Sequence, residues 1–206
     1  MFRSPSDTTP RDLNDFISRL AYVAELKEWD NRSHIERMRK YCQIITVCLD
    51  ISPTEARLIS LASQLHDVGK ITIPEILLQK PGNYEASEWD VVERHTIEGA
   101  IILNGSSSPV LQTAETIAYT HHERWDGSGY PQGLKGDEIP LSGRICAIAD
   151  VFDALTSKRT YKAAITEAEA LQLIQTSAGT MFDPKVVKVF SEKFNDIQKI
   201  RRMNGS

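Results

Sequence analysis

The stretch SPTEARLISLASQLHDVGK, residues 52–70, decides how the chain is read. Ser52 with Glu55 has the spacing of a capping box, and Pro53 takes the first helical position. The helix that follows, ARLISLASQLHD, closes on His66 and Asp67 just before Val68, Gly69 and Lys70. An imidazole and a carboxylate therefore sit together where the chain changes direction and other side chains can converge. The same start and stop signals recur on either side. Residues 11–29 place Leu13, Phe16, Ile17, Leu20, Val23 and Ala24 at helical spacing, which predicts an amphipathic lead-in helix. Ser33 with Glu36 predicts a capping box before IERMRKYCQIITVCL. Residues 86–103 read as one helical run, and Ser108 with Pro109 opens another that runs into His121. Thr166 with Glu169 caps EALQLIQTSA, which Gly179 stops, and Asp183 with Pro184 opens the last helix, KVVKVFSEKF. Between 123 and 143 the helical period breaks into a Gly-rich loop, where Gly127, Gly129, Gly133 and Gly136 permit positive φ. No stretch alternates with period two, and no repeat is visible. The expected fold is all-α, a bundle of about seven helices with one Gly-rich loop.

Composition agrees with a globular chain. The 206 residues are 41% hydrophobic and 25% charged, long enough to bury a core without staples. A net charge of −4 argues against a protein that coats duplex nucleic acid, but it leaves room for a locally positive site for a small anion. Three cysteines, Cys42, Cys48 and Cys146, without CxxC spacing give neither a disulfide framework nor a zinc finger, so reduced thiols and a cytoplasmic setting are expected. The first residues have no apolar signal-peptide core, and no apolar run approaches the ~20 residues that span a bilayer. The expected organisation is a linker and lead-in helix over 1–29, one domain over 30–198 and a tail over 199–206. A polar linker before an amphipathic helix suits a join to an upstream sensor or receiver domain, and the helix itself suits either a homodimer or its own core.

The chemistry lies in five histidines and a few carboxylates. His66 and Asp67 close one helix. His121 and His122 close another, directly before the Gly-rich loop. His95 falls in the middle of the run VVERHTIEGAII, and His34 in a first turn. Asp150 follows the apolar run ICAIA, which would bury it. Taken singly, each has a plain structural role: a surface or core histidine, a cation complementing a helix C-terminus, an aspartate at an N-cap. His34 alone is the weakest candidate, an ordinary exposed histidine. Together, imidazoles and carboxylates at element ends form a ligand set for zinc, iron, manganese or nickel. Lys70 would reach a phosphate oxygen, or is simply an exposed lysine at a helix end. Tyr130, between Gly129 and Pro131, suits stacking on a base or anchoring the loop. Arg159 and Lys162 place two cations three apart, suited to a diester phosphate or to a solvated face.

These residues resemble the HD-GYP family, a branch of the HD-domain phosphohydrolases. The likeness begins at His34 and Arg37 and continues through HDVGK at 66–70, KPG at 80–82 and HTIEG with His95 and Gly99. It is most specific in HHERWDGSGYP, residues 121–131, and goes on through RICAIADVFDALT at 144–156, RTYK at 159–162 and FDP at 182–184. It covers roughly residues 30–190. The resemblance implies an HD-domain helical bundle and hydrolysis of cyclic di-GMP to the linear dinucleotide or GMP, with cyclic GMP-AMP as the substrate of some members. It implies two divalent ions, iron or manganese, held by His66, Asp67, His95, His121, His122 and Asp150, with Asp67 between them and a hydroxide there as nucleophile. His34 joins ligation in some members. Lys70 would assist catalysis with Asp67, and Tyr130, Arg159 and Lys162 would hold substrate. Asp153 would orient a ligand. Members with a third metal carry a Glu four residues before the first His. Here that position is Asp30, one methylene shorter, so two ions are expected rather than three. Two other functions remain in play. One is a signalling module that binds a cyclic dinucleotide, or a GGDEF-type cyclase domain through the loop, without turnover. The other is a phosphohydrolase for mono- or triphosphate nucleotides.

Overall fold

In the computed structural model, which describes residues 10–24, 26, 31–157 and 164–203, the helices begin where local chemistry satisfies their first N–H groups. Helix α1 spans Pro10–Ala24, α2 Asn31–Val47 and α3 Pro53–Ala62. Tight 3-10 turns at Ser63–Leu65 and Val68–Thr72 lead to α4, Glu75–Leu78. Then come α5 (Ala86–Glu93), α6 (His95–Leu103) and α7 (Pro109–Thr120). After the long loop follow α8 (Leu141–Thr156), α9 (Glu167–Thr176), α10 (Pro184–Glu192) and α11 (Phe194–Met203). No β-strand occurs among the described residues, only two isolated bridges. No helix described is long and apolar enough to cross a membrane.

Caps explain most of these starts. The Ser52 hydroxyl accepts from Glu55 N at 3.1 Å, Thr166 and Glu169 form a reciprocal box, and Asp183 accepts from Lys185 N at 2.8 Å. Such caps contribute about 1 kcal/mol each. Ser33 does not cap: α2 already begins at Asn31, and Glu36 pairs instead with Arg39 and Lys40 one turn on. Ser108 precedes Pro109, but its side chain makes no cap bond.

The run 86–103 is two helices rather than one. The carbonyl of Val92 takes a hydrogen bond from His95 Nδ1, and that of Glu93 takes one from the Thr96 hydroxyl. Side chains thus compete for the carbonyls that would carry the helix onward. This break is one reason the helices outnumber the seven expected. The short α4 and the separate α11 add to them.

One core joins the first helix to the last. Met38, Tyr41, Cys42 and Ile45 of α2 meet Ile145, Cys146, Ile148, Ala149 and Phe152 of α8, all fully buried. Around this pair, α7 adds Ile117 and Ala118, and α10 adds Phe190. Ile17, Ala21 and Ala24 of α1 lie in the same cluster, so the lead-in helix packs on the core that follows it. Ile197 joins too, with Ile200 against it, and Arg201 Nη2 donates to the Thr156 carbonyl at 2.6 Å. The helix therefore continues past 199, where a tail was expected, to Met203.

Candidate metal centre

His66, His95 and His121 come from three different elements, yet each is held the same way. His66 follows the turn after α3, and its Nδ1 lies 2.9 Å from the Ser63 carbonyl. His95 opens α6, with Nδ1 2.7 Å from Val92 O. His121 caps the C-terminus of α7, with Nδ1 3.1 Å from the Ile117 and Ala118 carbonyls. These acceptors assign the ring proton to Nδ1 and leave the Nε2 lone pair facing inward. The three Nε2 atoms converge on Asp67. Its Oδ1 is 3.4 Å from His95 Nε2 and 3.6 Å from His121 Nε2, while its Oδ2 is 3.1 Å from His66 Nε2. The Lys70 ammonium sits 2.8 Å from the same Oδ2.

Two ligand groups result, each with donor atoms within 4.8 Å of one another: Asp67, His95, His121 and His122, and His34, His66 and Asp150. The donor set suits divalent metal ions on observations of this site itself. Buried Asp67 Oδ1 makes no hydrogen bond. His95 Nε2 and His121 Nε2 are 3.4 Å apart, two lone pairs aimed at one another unless a cation or proton lies between them. Burial pushes His95 down to about 4 and His122 well below the usual imidazole range, so both imidazoles are neutral at pH 7 and able to act as ligands. Burial alone would raise the Asp67 carboxyl; the surrounding imidazoles and the Lys70 ammonium outweigh it and hold the group well below its ordinary value. Neutral imidazoles around an ionised carboxylate match iron, manganese, zinc or nickel.

The chain must come very close to itself to build this. A Cβ on Gly69 would lie 1.9 Å from the His95 carbonyl oxygen, so only glycine allows the HD turn to press on the start of α6. The 3-10 turn beyond Asp67 then delivers Lys70 back to it.

His34 is the chief departure from the reading of single residues. It belongs to the second group, and its Nδ1 lies 2.8 Å from Asp153 Oδ2. Asp153 is itself gripped by Arg37, Nε to Oδ1 at 2.6 Å and Nη2 to Oδ2 at 2.8 Å. This fork holds the Asp153 carboxyl far below its ordinary range against the burial that would raise it. Asp150 and His95 are also placed differently from expectation. Asp150 lies within α8, not at an element end, because Pro140 starts that helix well upstream. His95 opens a helix rather than sitting mid-helix, for the carbonyl competition given above.

The Gly-rich loop covers the His122 side. Tyr130 N donates to the His122 carbonyl at 3.2 Å, and the Tyr130 ring stacks on His122 at 4.8 Å and 28°. Gly129 is needed for close approach, not for positive φ: a Cβ there would be 2.3 Å from Arg124 N. The sequence offered no role for Glu123, which proves central. It is buried and accepts from Gln132 N at 2.7 Å and Leu134 N at 3.0 Å, closing the loop on itself. Arg144, also without an assigned role, pairs with Asp137 and Asp183 at 2.8 Å each and lies over Trp125, tying the loop to α10. The only signal for Glu123 was its place directly after the two histidines. Arg159, Lys162 and Asp30 lie outside the described residues.

A family model described as HD domain matches residues 20–186. The chain belongs to the HD domain family. Its HD-GYP branch is the right one: a Vibrio cholerae 3'3'-cGAMP-specific phosphodiesterase 2 is 42% identical over 91% of this chain and 36% of its own length. The Xanthomonas campestris cyclic di-GMP phosphodiesterase response regulator RpfG is 44% identical over 83% of this chain and 45% of its own. This HD domain chain thus spans less than half the length of these curated relatives. Among solved structures, a cyclic GMP-AMP-specific phosphodiesterase of Vibrio cholerae matches with TM-score 0.68 at 22% identity, covering 94% of this chain and 51% of that one. That likeness shows the all-helical HD fold.

Proposed function

We propose that this HD domain chain is a metal-dependent phosphodiesterase that hydrolyses cyclic di-GMP to the linear dinucleotide, GMP or both. The observation that carries the reading is the division of one carboxylate: Asp67 turns Oδ1 to His95 and His121 and Oδ2 to His66 and Lys70. It therefore faces both ligand groups and is proposed to serve each of them. His34, His66 and Asp150 would hold one divalent ion, His95, His121 and His122 the other, with Asp67 shared; iron or manganese fits this donor set. When bound, such a pair supplies a water-derived nucleophile near neutral pH and neutralises phosphate charge.

The chain's own groups do the rest. Lys70, half-buried beside Asp67, would offset negative charge growing on a phosphate oxygen. Asp153 keeps His34 in its tautomer and orientation. Tyr130 walls the site against His122. Arg159 and Lys162 are proposed to grip a diester phosphate. Nothing in a two-ion site requires Asp30. The free thiols of Cys42, Cys48 and Cys146 suit the reducing cytoplasm, the proposed location.

The relative named for 3'3'-cGAMP favours that dinucleotide as a second substrate. The test is chromatography of products from protein loaded anaerobically with Fe(II) or Mn(II). Cyclic di-GMP, 3'3'-cGAMP and a panel of nucleoside mono- and triphosphates are compared. Turnover confined to cyclic dinucleotides supports the proposal. Fully loaded protein that binds cyclic di-GMP without cleaving it contradicts the enzyme and favours a module that docks a cyclase domain.

A further inference from the structure

Trp89 of α5 is a large aromatic residue left 43% exposed. Its ring is fixed from two sides. Tyr84 lies 5.6 Å away at 38°, and Tyr130 meets it edge-to-face at 6.4 Å and 78°. Tyr130 in turn stacks on the ligand His122 and stands 6.5 Å from the ring of His95. An unbroken series of rings thus leads from the metal ligands to an indole in solvent. The same short stretch of backbone, α5 into α6, carries both Trp89 and His95. A ring already held by two others loses little freedom when a ligand stacks on it. Lys70 stands by the ligands at the inner end of the series.

We propose that Trp89 is a stacking platform for a purine base of the substrate, seated beside the metal centre. The inference rests on the phosphodiesterase reading above. Trp89 is a positioning and affinity residue, remote from the reacting atoms. Indole stacks on any purine, so its effect is shared by guanine and adenine. It does not choose between cyclic di-GMP and cyclic GMP-AMP.

The experiment compares wild type, Trp89→Ala and Trp89→Phe, all metal-loaded. Stacking on one base predicts that Trp89→Ala raises KM for both cyclic dinucleotides roughly 5- to 100-fold, with kcat changed less than about threefold. Trp89→Phe keeps a ring and stays within about threefold of wild type in KM. Inhibition by GMP weakens in Trp89→Ala, while inhibition by ribose 5-phosphate, which lacks the base, does not. Wild-type turnover with an unchanged KM in Trp89→Ala overturns the inference and leaves the function standing. Equal weakening of GMP and ribose 5-phosphate also overturns it, because that is loss of loop support. No turnover by wild type removes the function and the platform together.

Discussion

The two candidate ligand groups on either side of Asp67 are built by different kinds of contact. His95 and His121 are each steered by a carbonyl three or four residues back on the same chain. His34 is steered by Asp153, 119 residues away, and Arg37, one turn beyond His34, clamps that carboxylate from 116 residues away. The rings of His95 and His121 are oriented by local helix geometry, whereas the second group joins His66, steered by Ser63 O three residues back, to His34, oriented by packing of α2 against α8. The lesson is that equal donors can have unequal dependence on the rest of the fold. The local group should survive changes in the bundle that loosen the long-range one.

The sharpest break of that contrast is His95→Ala, which removes a ligand of the local group outright. Turnover of cyclic dinucleotide should fall by more than the 10- to 100-fold typical of losing an outer partner. Metal analysis should show one ion lost and the other retained. Next is Asp153→Asn, which keeps the shape and removes the charge that His34 and Arg37 share. The ion at His34, His66 and Asp150 should weaken about 10- to 100-fold in a Mn(II) titration, while the other site titrates as in wild type. Equal weakening of both sites would erase the distinction drawn here.

A smaller effect is expected from Glu123→Gln. It trades two charge-assisted bonds to Gln132 N and Leu134 N for weaker ones, a change of about 1–3 kcal/mol. Amide exchange at those two residues should quicken and KM should rise, with metal content unchanged. Smallest is Thr166→Ala, far from either group. Loss of its cap bond to Glu169 N costs about 1 kcal/mol. For a chain of this size that lowers Tm by roughly 2–4 °C and leaves turnover as it was.

The same contrast explains what was legible in the sequence. Caps at Ser52, Thr166 and Asp183 and the stop at Gly179 are local chemistry, and they mark helices where the structure has them. The HD pair, the HH pair and the GYP loop are likewise contiguous strings, and the likeness to HD-GYP proteins gathers them into one site. What was hidden depends on distance or on competition. His34 looks like a surface histidine until α8 brings Asp153 to it. The break at Arg94 follows from His95 and Thr96 taking carbonyls, which a count of apolar spacing does not register. Glu123 and Arg144 act by satisfying buried backbone groups and by pairing charges across the fold. Such roles leave no periodic trace.

The central claim is that Asp67 serves both groups, and metal counting on Asp67→Ala tests it most directly. Wild type reconstituted with Mn(II) should carry two ions per chain. Asp67→Ala, still folded by circular dichroism, should lose affinity at both sites and lose hydrolysis with it. A variant that keeps one site at wild-type affinity, or that still turns over cyclic di-GMP at the wild-type rate, would contradict a shared carboxylate.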